Sequence, residues 1–179
     1  EKGFYDTKNK KGYFIKNSQI NYNNREIKGD SLTFNDLSQF ASASRNVKLT
    51  DTLNKTIIKG NYAEIFKALD SAMITKRSLA IKMVDRDSLY IKADTLFAIG
   101  PTENRIIKGR YNVKFYKKNL SGRADKIIIN QKSGLTKLQR KPLSKREKQI
   151  LTSKEISKRN PIIWNGESQM TGDEIHILR

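Results

Sequence analysis

The sequence predicts an all-β fold of thin, two-layer sheets stacked from about five copies of one small unit, and three observations carry that prediction. The first is a recurring phrase of an apolar residue, a polar one, Gly or Ala, an Asp or Asn, then alternating apolar residues. It reads Ile27-Lys28-Gly29-Asp30-Ser31-Leu32-Thr33-Phe34, Ile58-Lys59-Gly60-Asn61-Tyr62-Ala63-Glu64-Ile65, Ile91-Lys92-Ala93-Asp94-Thr95-Leu96 and Met170-Thr171-Gly172-Asp173-Glu174-Ile175-His176-Ile177, with a weaker copy at Gly122-Arg123-Ala124-Asp125. The second is an apolar-any-apolar phrase before each copy: Ile20 to Tyr22, Val47 to Leu49, Ile81 to Met83, Val113 to Phe115 and Ile162 to Trp164. That alternation is the period of a half-buried strand. The third is composition: 36% hydrophobic residues is too low for a thick globular core but suits thin sheets. Self-similarity at a fixed period marks an array of one supersecondary unit.

A further strand-like element leads into each unit, at Gly12 to Ile15, Phe40 to Ala43, Ala72 to Thr75 and Arg105 to Lys108. The unit therefore reads as three short strands in roughly 30 residues, with the last unit split from the fourth by an insertion. At each Gly/Ala-Asp step the apolar residues change parity, as between Ile27 and Leu32 or between Met170 and Ile175. A period-two strand changes parity only through an extra residue, so the step predicts a bulge or corner, and the corners should align into an edge of the body. Pro101, Pro142 and Pro161 fall near unit junctions or the insertion, where they break no ladder.

The whole chain, 1–179, reads as one domain carrying a basic insertion at 138–160. Within it Ser144 and Glu147 have capping-box spacing, predicting a short basic helix or loop through Lys148 to Lys158. The net charge of +18 calls for a polyanionic partner, nucleic acid or lipid phosphate. Cysteine is absent, which excludes disulfides and thiol chemistry. The single histidine, His176, alternates with Ile175 and Ile177 as the outward residue of a strand, so neither a metal site nor a catalytic pair has its residues. No phosphate-cradling or nucleophile-elbow motif occurs, and Asp85 and Asp87 read as turn residues. Asn54-Lys55-Thr56 and Asn119-Leu120-Ser121 match a glycosylation sequon that is frequent by chance. No enzyme, cofactor or metal is expected. No apolar run is long enough to span a membrane as a helix.

The repeated phrases resemble the OstA-like (organic solvent tolerance) domain, the LptA-type periplasmic domain of the lipopolysaccharide transport system. Asn160-Pro161-Ile162-Ile163-Trp164 and Met170-Thr171-Gly172-Asp173 are similar to that family's closing unit. The resemblance implies a β-jelly roll folded like a taco, with two antiparallel sheets in a V whose interior holds lipid A acyl chains without chemistry. Groove-facing candidates are Ile20, Tyr22, Leu32, Phe34, Val47, Leu49, Ile65, Ile81, Met83, Leu96, Val113, Phe115, Ile127, Ile129 and Trp164. Lys48, Lys82 and Lys114 are candidate phosphate contacts at the rim, or simply outward-facing lysines that keep the sheets solvated.

It further implies lipopolysaccharide as ligand, a periplasmic location, and end-to-end strand pairing with other jelly rolls or with copies of this chain. The candidate edges are the strand around Tyr13 to Ile15 and the strand from Asp173 to Leu178. The sequence starts at Glu1 without a basic-then-apolar leader, so a signal is expected to have been removed or to lie outside it; it stops at Arg179 with a repeat just completed, as a domain followed by another module would. Two other readings use the same residues. A structural β-solenoid spacer would have a sealed core. A nucleic-acid-binding β protein is disfavoured, because the aromatic residues stand at apolar strand positions rather than among exposed lysines.

Overall fold

The computed structural model describes residues 2–84 and 86–178; Asp85 falls outside them. One antiparallel 13-stranded sheet runs in chain order from β1 (Lys2–Asp6) through β2 (Lys11–Tyr22), β3 (Arg25–Asn35), β4 (Phe40–Asp51), β5 (Thr56–Phe66), β6 (Ser71–Val84), β7 (Asp87–Ile99), β8 (Ile106–Lys117) and β9 (Leu120–Asn130) to β10 (Thr136–Gln139). β13 (Glu174–Ile177) pairs with β10, and β11 (Ile162–Asn165) pairs with both β9 and β12 (Ser168–Thr171). The expected short strands are halves of longer ones: Phe40 to Ala43 and Val47 to Leu49 both belong to β4. The repeating unit is thus a hairpin of two long bent strands rather than three short ones.

The bend arises from a mismatch that recurs in the β2–β3, β4–β5, β6–β7 and β8–β9 hairpins. Ile15 pairs with Ser31 and Ser18 with Gly29, so Lys16 and Asn17 stand opposite Asp30 alone. Arg45 and Asn46 likewise oppose Asn61, Lys76 and Arg77 oppose Asp94, and Tyr111 and Asn112 oppose Asp125. Two residues against one is a bulge, which bends the strand. Lys16, Asn17, Arg45, Asn46, Lys76, Arg77 and Asn112 all have left-handed φ, between 49° and 66°. Asn46 Nδ2 donates to Asp30 Oδ2 at 3.1 Å and Asn112 Nδ2 to Asp94 Oδ2 at 2.8 Å, so the Asp of the step ties the corner together.

In β3 the buried positions change from Ile27 and Gly29 to Leu32, while in β4 they keep parity through Ala41, Ala43, Val47 and Leu49. The parity change expected at the Gly/Ala-Asp step is present, and the extra residue lies on the partner strand. The aligned corners form an apex that divides the sheet into two arms. One arm ends at the β2–β3, β4–β5, β6–β7 and β8–β9 turns, the other at the β1–β2, β3–β4, β5–β6, β7–β8 and β9–β10 turns.

The small residue at the step answers to packing, not to φ. Gly29 and Gly60 are absent from the positive-φ residues. A Cβ on Gly60 would lie 2.5 Å from Ile74 Cγ2 and 2.9 Å from the Thr75 carbonyl, whereas one on Gly29 would make ordinary contacts of 3.4 Å. Ala93 and Ala124, buried at the equivalent positions, show that a methyl is tolerated where the opposite arm leaves room.

The fifth hairpin is split at its corner. β10 and β11 lie in line against β9, with Gln139 opposite Lys126 and Ile162 opposite Arg123, so the segment 140–161 stands where earlier strands place three residues, such as Arg45 to Val47. β12 and β13 form the returning strand, broken at Gly172 and Asp173. The insertion therefore sits inside the last unit, and Leu138, expected within it, is fully buried in β10. Instead of one helix it holds two, α1 (Lys145–Ile150) and α2 (Ser153–Ser157). The expected Ser144–Glu147 capping box starts α1, and a second box, Thr152 with Glu155, starts α2 and ends the helical run at Leu151. Hydrogen bonds from the Ser144 backbone and side chain, then from Arg159, hold the Glu147 carboxyl down at about 2.

Gly60→Val is expected to destabilise the fold by about 1–3 kcal/mol through overpacking at the apex, against a change within about 0.5 kcal/mol for Gly29→Ala. Urea denaturation of the two variants measures the difference.

Candidate functional site

The inner face of the first arm is graded from apex to tip. Nearest the apex are small residues, among them Gly29, Gly60, Ser78 and Ala93. Next comes an apolar cross-strand row: Ile20, Ile27, Leu49, Ile58, Ala80, Ile91 and Phe115. The row at the tips is largely polar: Tyr22, Arg25, Asp51, Thr56, Lys82 and Leu89. Each row follows from register, because residues two apart on one strand share a face and partners across strands share a row.

Between the arms lies a cavity of about 400 Å³, within the range of small-molecule sites. Ile27, Leu49, Ile58, Ile91 and Phe115 line it from the first arm, and Ile65, Leu96, Ile107, Ile127 and Ile129 from the second. Its mouth carries Arg25, Asp51, Asn54, Asp70 and Arg105.

These charges bind the arms to each other. Arg25 and Asp51 belong to the first arm, Asp70 and Arg105 to the tips of the second. Arg105, only 5% exposed, reaches Asp51 Oδ2 at 3.1 Å through Nη1, Asp70 Oδ2 at 3.1 Å through Nη2, and the Gly100 carbonyl at 3.1 Å through Nε. Arg25 completes the ring by binding Asp51 Oδ2 at 3.3 Å and Asp70 Oδ1. Burial works to raise the Asp51 carboxyl, but hydrogen bonds from Asn54 and the Arg25 charge outweigh it and keep the group below its ordinary value. Buried charges persist only when so paired and hydrogen-bonded.

Tyr22, Leu49, Ile65, Leu96, Phe115, Ile127 and Ile129 line the cavity. Leu32, Val47 and Val113 are at most 2% exposed in the packed core near the apex and do not line it. Ile20 and Phe34 pack against the core without lining the cavity, Phe34 stacking on Phe14 and Tyr5 toward the N-terminal end. Three residues expected to face inward face outward. Ile81 and Met83 alternate with the inward Ala80, Lys82 and Val84, and Trp164, 36% exposed, alternates with the buried Ile163. The apolar-any-apolar phrase was in these two strands the outer face, and the true inner residues were hidden because Ala80 is small and Lys82 charged. Lys82 accordingly lines the cavity, while Lys48 and Lys114 lie on the outer face away from its mouth.

The expected N-terminal edge, Tyr13 to Ile15, is covered by β1, which leaves β1 and the Ser18–Tyr22 half of β2 at that end. His176 is exposed on β13 beside Glu174. Asp87 opens β7 and accepts the Ser88 amide. Among the described residues no group of three or more His, Asp or Glu is placed to hold a metal. The Arg25–Asp51–Asp70–Arg105 ring had no signal in the sequence, since its members come from four different strand ends.

Asp51→Ala is expected to cost about 3–5 kcal/mol, the penalty for stripping a partner from a buried ion pair, measurable by urea denaturation. Because the folded Asp51 pKa is depressed, its contribution is fully present above the unfolded value of about 3.9 and is lost as pH falls through the folded value; the wild type should lose stability over that acid range and the variant less.

No protein-family model matches the sequence, and no curated protein matches it significantly. Among solved structures, the chain is similar to LptH from Pseudomonas aeruginosa, described as the LptA-homologous periplasmic component of the lipopolysaccharide transport device, at 13% identity with a TM-score of 0.59. The match covers 87% of this chain and 94% of that one. The bent antiparallel sheet is thus the β-jelly roll of the LptA type.

Proposed function

We propose that this protein is a non-enzymatic periplasmic carrier that holds lipopolysaccharide by its acyl chains between the two arms and passes it toward the outer membrane. The observation that carries the reading is the cavity of about 400 Å³, apolar along its length and charged only at its mouth. Each methylene buried there contributes about 0.8 kcal/mol, so a stretch of acyl chain binds without any chemistry. The likeness in fold to a lipopolysaccharide transport component supports the same reading. The Arg25–Asp70 and Arg105–Asp51 pairs span the mouth and must part, or be displaced by the ligand's own anionic groups, for a chain to enter.

Photoreactive residues at Leu49, Ile91 and Phe115 are expected to crosslink to lipopolysaccharide, while the same probe at Ser42, Glu64 and Met73, outward on the second arm, gives none. Failure of the inner set in a folded protein would leave a sealed spacer. The reading also includes end-to-end assembly through the open edges of β1 and of β12 and β13. Phe4, 67% exposed on β1 opposite Tyr13, is the apolar anchor at one end. Light scattering is expected to show concentration-dependent assembly that Phe4→Asp abolishes.

A further inference from the structure

The outer face of the first arm carries a feature that a stable sheet would avoid. Lys28 on β3 lies opposite Lys48 on β4, which lies opposite Lys59 on β5. After Leu79 the row resumes with Lys92 on β7, opposite Lys114 on β8, opposite Arg123 on β9. Six cations thus stand in one cross-strand line at intervals of about 4.8 Å per strand. Like charges directly opposite one another are destabilising. Lys28 has a partner in Glu26 at 3.0 Å, and among the described residues the other five cations have no ion pair. The adjacent row, two residues nearer the tips, is polar over its first strands, at Asn21, Glu26 and Thr50, and from β5 onward apolar and aromatic: Ile57, Ile81, Tyr90, Tyr116 and, beyond Ser121, Trp164. Tyr90, Tyr116 and Trp164 are 40%, 54% and 36% exposed. The expectation that aromatic residues avoid the lysine-bearing face therefore fails on this arm.

We propose that this face docks on an anionic lipid surface, the cations meeting headgroup phosphates and the aromatic row seating at the headgroup level. Charge complementarity selects an anionic partner, and the neighbouring ring row selects a membrane. Tyr and Trp favour the interface because one end is apolar and the other polar. A single-stranded nucleic acid would instead require a cationic groove that tracks its backbone, and here the cations stand on the convex side of a bent sheet. The ladder lies on the opposite side of the arm from the lipid cavity, so this docking stands or falls independently of acyl-chain binding.

The test uses the full chain with vesicles of phosphatidylglycerol and phosphatidylcholine in equal parts, and with vesicles of phosphatidylcholine alone. Flotation is expected with the anionic vesicles only, and it should weaken with added salt as screening shortens to about 10 Å at 0.1 M. Lys59→Gln, Lys92→Gln and Lys114→Gln together should lower the partition coefficient on the order of a hundredfold, at about fivefold per charge. Thermal stability of this variant should be unchanged or higher, because three like-charge pairs, Lys48–Lys59, Lys92–Lys114 and Lys114–Arg123, are relieved. Removing equal charge from α1, by Lys145→Gln, Arg146→Gln and Lys148→Gln, should leave most of the binding. Trp164, the single tryptophan, should shift its emission to the blue on binding. Equal losses from the two triple variants, no anionic preference, an unmoved Trp164 emission, or tighter binding of a single-stranded DNA oligonucleotide than of vesicles would each overturn the proposal.

Discussion

The architecture depends on one local mismatch: two residues on one strand facing a single residue on the next, at the same height in successive hairpins. A regular antiparallel sheet would be a flat or gently twisted ribbon with one apolar side open to water. The repeated extra residue turns that ribbon on itself, so the apolar side of one half covers the apolar side of the other. It does so at the cost of holding residues such as Lys76 and Arg77 in a left-handed conformation, which for a side chain with a Cβ is unfavourable by about 1–2 kcal/mol. The gain is a core formed by a single sheet, with no second chain segment needed to cap it.

The grading of the inner face follows from that geometry. Near the apex the arms converge, and Val47 and Val113 fit there only because Gly60 and Ala124 stand opposite them, the Gly60–Ile74 approach leaving no room for a further side chain. Farther out, branched aliphatic residues fill the widening wedge, until side chains no longer reach across and a cavity opens. At the tips the separation is spanned by the longest side chains available, arginines, whose planar forks each engage two carboxylates. Ring closure by Arg25, Asp51, Arg105 and Asp70 is thus a consequence of wedge width as much as of charge.

Much of this was legible in the sequence. The all-β class, the repeat and the corner at Gly/Ala-Asp were readable because alternation and its parity change are local patterns. What escaped was whatever depends on the partner strand. The extra corner residues are Lys16-Asn17, Arg45-Asn46, Lys76-Arg77 and Tyr111-Asn112, which share no apolar signature. Ile81, Met83 and Trp164 were assigned inward because a strand with apolar residues on both faces offers no parity to choose by. In β6 the choice was made by Ala80 packing behind the apex and by Lys82 reaching the polar rim. The cross-strand lysine line is invisible along the chain, because its members are contributed one per strand.

The segment 140–161 leaves the sheet at Gln139 and rejoins it at Ile162, yet the pairs Gln139–Lys126 and Ile162–Arg123 keep β9 in register on both sides. A bulge already releases its residues from the ladder, so lengthening it forfeits no backbone hydrogen bond. Each corner is therefore a port where chain can be added without altering the scaffold. The outer ridge formed by Arg45-Asn46 and Lys76-Arg77 offers further sites of the same kind, through which recognition elements could be gained or exchanged while the apolar interior stays as it is.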